Sequence, residues 1–215
     1  MQPVVLPLDL GVREIPYAEG FDLQEVLHRQ VVAGESVPTI LLLEHAFTYT
    51  AGTRTQPADL PPPGAPLLSV NRGGRITWHG PGQVVAYPIV PLPNPVDVVA
   101  YVRRLEAALM ATCEEFGLAT QRVEGRSGVW VTGGGKPDRK VAAIGVRVAR
   151  GVTMHGVALN VDCDLTAYDA IVPCGITDAG VTSLAAEDVP LPDSGAVVAV
   201  AERLGAHLRD ALSWD

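Results

Sequence analysis

Apolar residues recur along the chain in two periods, and the period changes mark the elements. From Tyr17 to Ala33, Phe21, Leu23, Val26, Leu27 and Val31 fall near helical spacing, and Gly34 sits where a helix ends. A second helical face runs through Val99, Val102, Leu105, Leu109 and Cys113 to Gly117, with Asn94-Pro95 as the expected cap and first turn. A third carries Val197, Val200, Ala201, Leu204, His207 and Leu208 and ends near Leu212, with Asp193 or Ser194 as its cap. Between the helices the pattern shortens to strands. Val4–Leu10, Thr39–Leu43 running on toward Thr50, Leu67–Asn71 and Gln83–Pro91 are expected strands, and Thr39–Leu43 is a continuous apolar run of the kind that is buried on both faces. Short strands near Ala119–Val123 and Gly128–Thr132 follow. Val141–Ala149 and Val152–Asp162 then form a hairpin turning at Arg150-Gly151. Residues 53–66 hold five prolines and read as an irregular, mobile surface segment, and Leu165–Val172 reads as one helical turn. Strands dominate the middle and helices punctuate it, so the class is α+β, a mixed sheet with flanking helices.

Length and composition narrow this picture. The 215 residues suit one domain, 1–215, with a sizeable core. No apolar run reaches a membrane span, and the start shows no signal peptide or lipidation signal, so a cytoplasmic protein off the membrane is expected. Cys113, Cys163 and Cys174 make no paired framework, which favours free thiols. The net charge of −8 argues against nucleic acid. Between Arg122 and Arg150, however, seven bases stand against two acids, which suits either an acidic partner or a solvated strand edge.

One stretch carries unusual chemistry: Arg72-Gly73-Gly74-Arg75-Ile76-Thr77-Trp78-His79-Gly80-Pro81-Gly82-Gln83 holds four glycines around two Arg, a Trp and a His, then enters an apolar strand. It reads as a rigid loop presenting backbone N–H groups and His79 to a ligand, or as a tight hairpin with an incidental His. His155, inside an apolar strand, reads as a core residue. Gly133-Gly134-Gly135-Lys136-Pro137 fails as a phosphate loop because Pro137 takes the hydroxyl position. No dinucleotide fingerprint, nucleophile elbow or metal-ligand spacing occurs, so neither cofactor nor metal is expected. Cys113 belongs to a helical core face, whereas Cys174 lies in the corner Pro173-Cys174-Gly175. With Lys140, one of only two lysines, as a nearby cation, Cys174 suits a nucleophile. Residue pattern alone leaves open that Cys174 is packing and Lys140 a solvated strand end.

Four blocks together resemble one family, the lipoyl(octanoyl) transferases. They are Arg72–Gln83 with Tyr87-Pro88-Ile89, Lys140-Val141-Ala142-Ala143-Ile144-Gly145-Val146-Arg147, His155-Gly156-Val157-Ala158-Leu159-Asn160-Val161, and Pro173-Cys174-Gly175 with Val181-Thr182-Ser183-Leu184. Leu42-Leu43-Glu44-His45 with Tyr49-Thr50-Ala51-Gly52 adds a weaker match, so the likeness spans about residues 40–185. The resemblance implies a biotin/lipoate protein ligase-like fold. It implies transfer of octanoyl from octanoyl-acyl carrier protein to a lysine of lipoyl domains, in 2-oxoacid dehydrogenases and the glycine cleavage H protein, by a monomer. Cys174 becomes the acyl-thioester nucleophile and Lys140 the residue that lowers its pKa. Arg72, Gly73, Gly74, Arg75, Ile76, Thr77, Trp78, His79, Ala143, Ile144, Gly145, Gly156, Val157 and Ala158 become the acyl pocket. Two rivals stay open: an ATP-dependent lipoate or biotin ligase, which would not need Cys174, and a non-catalytic acyl-carrier-binding module.

Overall fold

The computed structural model of the chain describes residues 2–172 and 178–214. Its first half runs β1 (Val4–Pro7), α1 (Tyr17–Ala33), β2 (Thr39–Leu43), β3 (Thr48–Ala51), β4 (Leu67–Ser69), β5 (Thr77–His79) and β6 (Gln83–Ile89). Its second half runs α2 (Val98–Glu115), β7 (Gln121–Val123), β8 (Arg126–Val131), β9 (Arg139–Ala149), β10 (Val152–Asn160), β11 (Gly180–Val181) and α3 (Ala196–Ala211). The main sheet has eight strands in the order β1-β2-β6-β10-β9-β8-β7, with β11 beside the start of β9. β1 runs parallel to β2 and β11 parallel to β9, while the other pairs are antiparallel. A small sheet, β4-β3-β5, stands apart.

The continuous apolar run of β2 has the reason expected of it: both faces of the main sheet are covered. Ile40, Leu42, Val84 and Ala86 pack with Leu105 and Leu109 of α2 and Val200, Leu204 and Leu208 of α3. The alternate residues Leu41, Leu43, Val85, Tyr87 and Ile89 pack toward Leu23, Leu27 and Val31 of α1. Each fully buried Leu contributes about 1.5–3 kcal/mol, so this two-faced packing dominates the fold's stability. A third cluster, with Tyr49, Ile76, Trp78, Cys163 and Tyr168, fills the space behind the small sheet. Among the described residues no helix is long and apolar enough to cross a membrane.

Several boundaries differ from the expected ones. α2 starts four residues later than Asn94, because the Asp97 carboxylate accepts the Ala100 N–H at 2.9 Å and so satisfies an orphan donor of the first turn. α3 begins after Gly195, whose φ of +73° neither Asp193 nor Ser194 would adopt cheaply. β1 ends at Pro7, β4 at Ser69 and β10 at Asn160, and Leu165–Ala170 is a 3₁₀ helix. The proline-rich segment is irregular but anchored. It contains a 3₁₀ turn, Pro57–Asp59, whose Asp59 is 1% exposed and binds Arg75 through both carboxylate oxygens. At Arg150-Gly151 both residues have positive φ, as a two-residue hairpin turn between right-twisted strands requires.

Candidate active site

The glycine-rich stretch joins the two sheets. β5 belongs to the small sheet and β6 to the main one, and the turn at residues 80–82 carries the chain between them. On β5 the residues alternate: Thr77 and His79 face a cavity of about 310 Å³, while Trp78 packs in the cluster behind. Arg72, Gly74 and Arg75 also line this cavity. Gly73 and Ile76 do not: Gly73 donates its N–H to the Val146 carbonyl at 2.9 Å, and Ile76 joins the core. β9 contributes Lys140, Ala143, Ile144 and Gly145 to the wall, and β10 contributes Gly156, Val157 and Ala158. Twelve residues named from the sequence thus meet around one space, from elements more than sixty positions apart. Cys174 lies outside the described residues. Of the described flanks, Val172 donates its N–H to the Asp59 carbonyl at 3.4 Å, and the Asp178 carboxylate accepts at 2.6 Å from Arg126, which lines the cavity.

Arg72 acts as an internal brace. Its guanidinium donates to the Thr50 carbonyl at 2.7 Å and the Arg75 carbonyl at 2.8 Å, tying β3 to the loop. The brace runs over Gly145, where a Cβ would approach Arg72 Cδ to 2.9 Å. Arg75 instead pairs with Asp59. Burial pushes the Asp59 carboxyl up, but the Arg75 guanidinium and the Gln56 N–H outweigh it and hold it below its ordinary range.

A buried polar network fixes His79 in one tautomer. Asn160 Nδ2 donates to the Thr182 carbonyl at 2.9 Å, so Asn160 Oδ1 is free to accept from Gln83 Nε2 at 2.9 Å. Gln83 must then present Oε1 to His79 Nδ1, 2.8 Å away, which makes Nδ1 the proton carrier and leaves Nε2 as an acceptor. His45 follows the same logic. Its Nδ1–H donates to the Ile15 carbonyl at 2.8 Å, and Nε2 accepts from the Tyr87 hydroxyl at 2.7 Å. Burial lowers His45 to about 4. Burial, then repulsion from the neighbouring His45, holds His79 well below the ordinary histidine value. His155 is lowered to about 3 by burial and by Arg72 and Arg147. Burial likewise raises Tyr17 and Tyr87, so these histidines and tyrosines are neutral near pH 7.

Sequence reasoning missed Tyr17, Arg54, Tyr87, Gly125, Arg126, Ser127 and His155 as lining residues. Tyr17 and Tyr87 sit on an expected helix and strand, where nothing local distinguishes a cavity face. His155 is buried as expected, but it also lines the cavity. It has φ +56°, donates its backbone N–H to Gln24 Oε1 and approaches Asn71 Oδ1 through Nε2 at 2.8 Å. Three of the seven bases on the expected basic face are paired with acids from elsewhere in the chain. Arg122 pairs with Glu106, Arg126 with Asp178 and Arg139 with Glu187. Lys140 is not a solvated strand end, being 7% exposed.

Residues 16–204 match the family model of the lipoyl protein ligase A/B catalytic domain. The chain is 64% identical over 172 residues to an octanoyltransferase of Salinispora tropica, covering 80% of this chain and 81% of that one. It is 59% identical over 183 residues to an octanoyltransferase of Thermobifida fusca, covering 83% and 78%. Among solved structures, a bi-partite lipoate protein ligase with its E2 lipoyl domain from Thermoplasma acidophilum superposes with TM-score 0.73 at 15% identity, covering 99% of this chain and 84% of that one. The biotin protein ligase of Aquifex aeolicus does so with TM-score 0.52 at 13% identity, covering 99% and 69%. The architecture is therefore the biotin/lipoate protein ligase fold.

Proposed function

The chain belongs to the lipoyl protein ligase A/B catalytic-domain family, and on that premise we propose that it is an octanoyltransferase of protein lipoylation. The observation that carries this reading is its high identity to octanoyltransferases over most of its length. The cavity supports it, because Ala143, Ile144, Val157 and Ala158 give an apolar wall suited to an alkyl chain beside a buried lysine.

In this reading the donor is octanoyl-acyl carrier protein. Cys174 attacks its thioester carbonyl as a thiolate. The Sγ–acyl bond forms, the carrier's C–S bond breaks, and the carrier leaves as its thiol. One thioester replaces another, so this step is nearly balanced in energy. The neutral lysine amine of a lipoyl domain then attacks the acyl-enzyme, the amide forms and Cys174 Sγ departs. Amide formation makes this step downhill without ATP. Lys140 takes a proton from each nucleophile in turn and returns one to each departing thiol. Lys140 as a cation also lowers the pKa of Cys174. Neutral His79, with Nε2 free to accept, orients the reacting groups.

Transfer tests the reading directly. Purified protein mixed with octanoyl-acyl carrier protein and a lipoyl domain, without ATP, should give the octanoylated domain, and Cys174→Ala should give none. Transfer that requires ATP and survives Cys174→Ala would mean a ligase instead.

A further inference from the structure

The lysine of the cavity is aimed by an irregularity in the sheet. Val129 on β8 stands opposite Ala142 on β9, so a regular antiparallel ladder would set Trp130 opposite Val141. A bulge intervenes, and Trp130 stands opposite Lys140 instead. Opposed residues share a face of the sheet, and bulges re-aim side chains in this way. Lys140 Nζ lies 4.8 Å from the centre of the Trp130 ring. That is within cation–π range, and both residues are buried, so little water competes.

The ring itself is fixed. Its indole N–H donates to the Arg126 carbonyl at 3.3 Å, and the Arg126 guanidinium lies 5.8 Å from the ring centre. Gly128 leaves room for the lysine stem. A Cβ there would stand 2.5 Å from the Ala142 carbonyl oxygen and 3.3 Å from Lys140 Cε, and its φ is +109°. The Gly128 N–H reaches the buried Glu106 carboxylate on α2 at 3.3 Å, which pins this end of β8.

We infer that Trp130 is a positioning residue for Lys140: the bulged indole holds the ammonium group at one place on the cavity wall. The inference rests on the proposed pairing of Lys140 with Cys174. An ammonium on a four-carbon stem samples many rotamers, and its effect on a thiol falls with distance. A ring face that favours the cation at one point therefore sets the strength of that effect. Trp130 acts through Lys140 and touches no reacting atom in this account.

The test is the pH profile of Cys174 alkylation by iodoacetamide, read by peptide mass mapping. The background is low, because burial pushes the thiols of Cys113 and Cys163 up to about 12. Trp130→Leu removes the ring face and should shift the midpoint upward by about one pH unit, roughly a tenfold slower reaction at pH 7. Trp130→Phe should remain within roughly threefold of the parent. Fluorinated tryptophans placed at position 130 keep the shape while weakening the negative face, and the rate should fall with each added fluorine. If Trp130→Leu does not fold, this series decides the matter. A parent-like profile across the series, with Lys140→Ala slowed, would overturn the role of Trp130 alone. A parent-like profile for Lys140→Ala would overturn the pairing and this inference with it.

Discussion

His79 donates through Nδ1 to the side-chain carbonyl of Gln83 at 2.8 Å, and the orientation of that amide is dictated by Asn160 behind it. The arrangement commits Nε2 to accepting a hydrogen bond from whatever enters the cavity. Gln83→Leu should therefore lower turnover by roughly tenfold, the loss expected when one oriented polar group is released. His79→Ala should slow octanoyl loading of Cys174 without abolishing it. Single-turnover loading assays check both, and complete loss of loading in His79→Ala would give His79 a role in proton transfer.

Acid should destabilise this protein earlier than carboxylate titration alone would. His45 and His155 have folded values of about 4 and about 3, below the unfolded value near 6.5. The unfolded chain therefore binds more protons as the pH falls below about 6.5, and the stability conferred by neutral burial is progressively lost down to the folded values. Between pH 6.5 and 5 each such histidine costs about 2 kcal/mol. Urea midpoints should fall across that window, and His45→Gln should flatten part of the slope. A midpoint constant from pH 6.5 to 5 would contradict the assignment.

The ion pair anchoring the proline-rich segment is lopsided, since the Asp59 side chain is 1% exposed and that of Arg75 is 31% exposed. Arg75→Ala strands a buried carboxylate and should cost about 3 kcal/mol. Asp59→Ala removes the buried charge itself and leaves the more exposed partner, so it should cost only about 1 kcal/mol. Chemical denaturation of the two variants measures the difference, and equal costs would refute the asymmetry.

Acyl length should be read by burial on the short side. Each CH₂ withdrawn from the wall costs about 0.8 kcal/mol, so a hexanoyl donor should react roughly ten- to twentyfold less efficiently than an octanoyl one. Competition between donors of different length gives the ratio, and equal efficiency would place the chain outside the cavity.

Much of the fold was legible because burial on two faces writes itself into the chain. α1 and β2 occupy the expected residues, since their periodicity reflects one shared core. Capping was less legible, because Asn94, Asp97, Asp193 and Ser194 are chemically similar candidates and only backbone geometry selects among them. The site divides the same way. The wall residues on β9 and β10 were named because two sequence blocks resemble a known family, whereas Tyr17 and Tyr87 meet the cavity only through tertiary packing. The pairing of Lys140 with Trp130 was hidden too, because it depends on a bulge that leaves no mark in either strand's pattern. The acids that offset Arg126 and Arg139, Asp178 and Glu187, come from beyond the basic stretch.

The central claim is that Cys174 carries the acyl group. The protein should be incubated with octanoyl-acyl carrier protein alone, quenched in acid and mapped by peptide mass spectrometry. An octanoyl adduct on the Cys174 peptide, lost on adding a lipoyl domain, is the predicted result. An unmodified Cys174 peptide under conditions that octanoylate the lipoyl domain would contradict it.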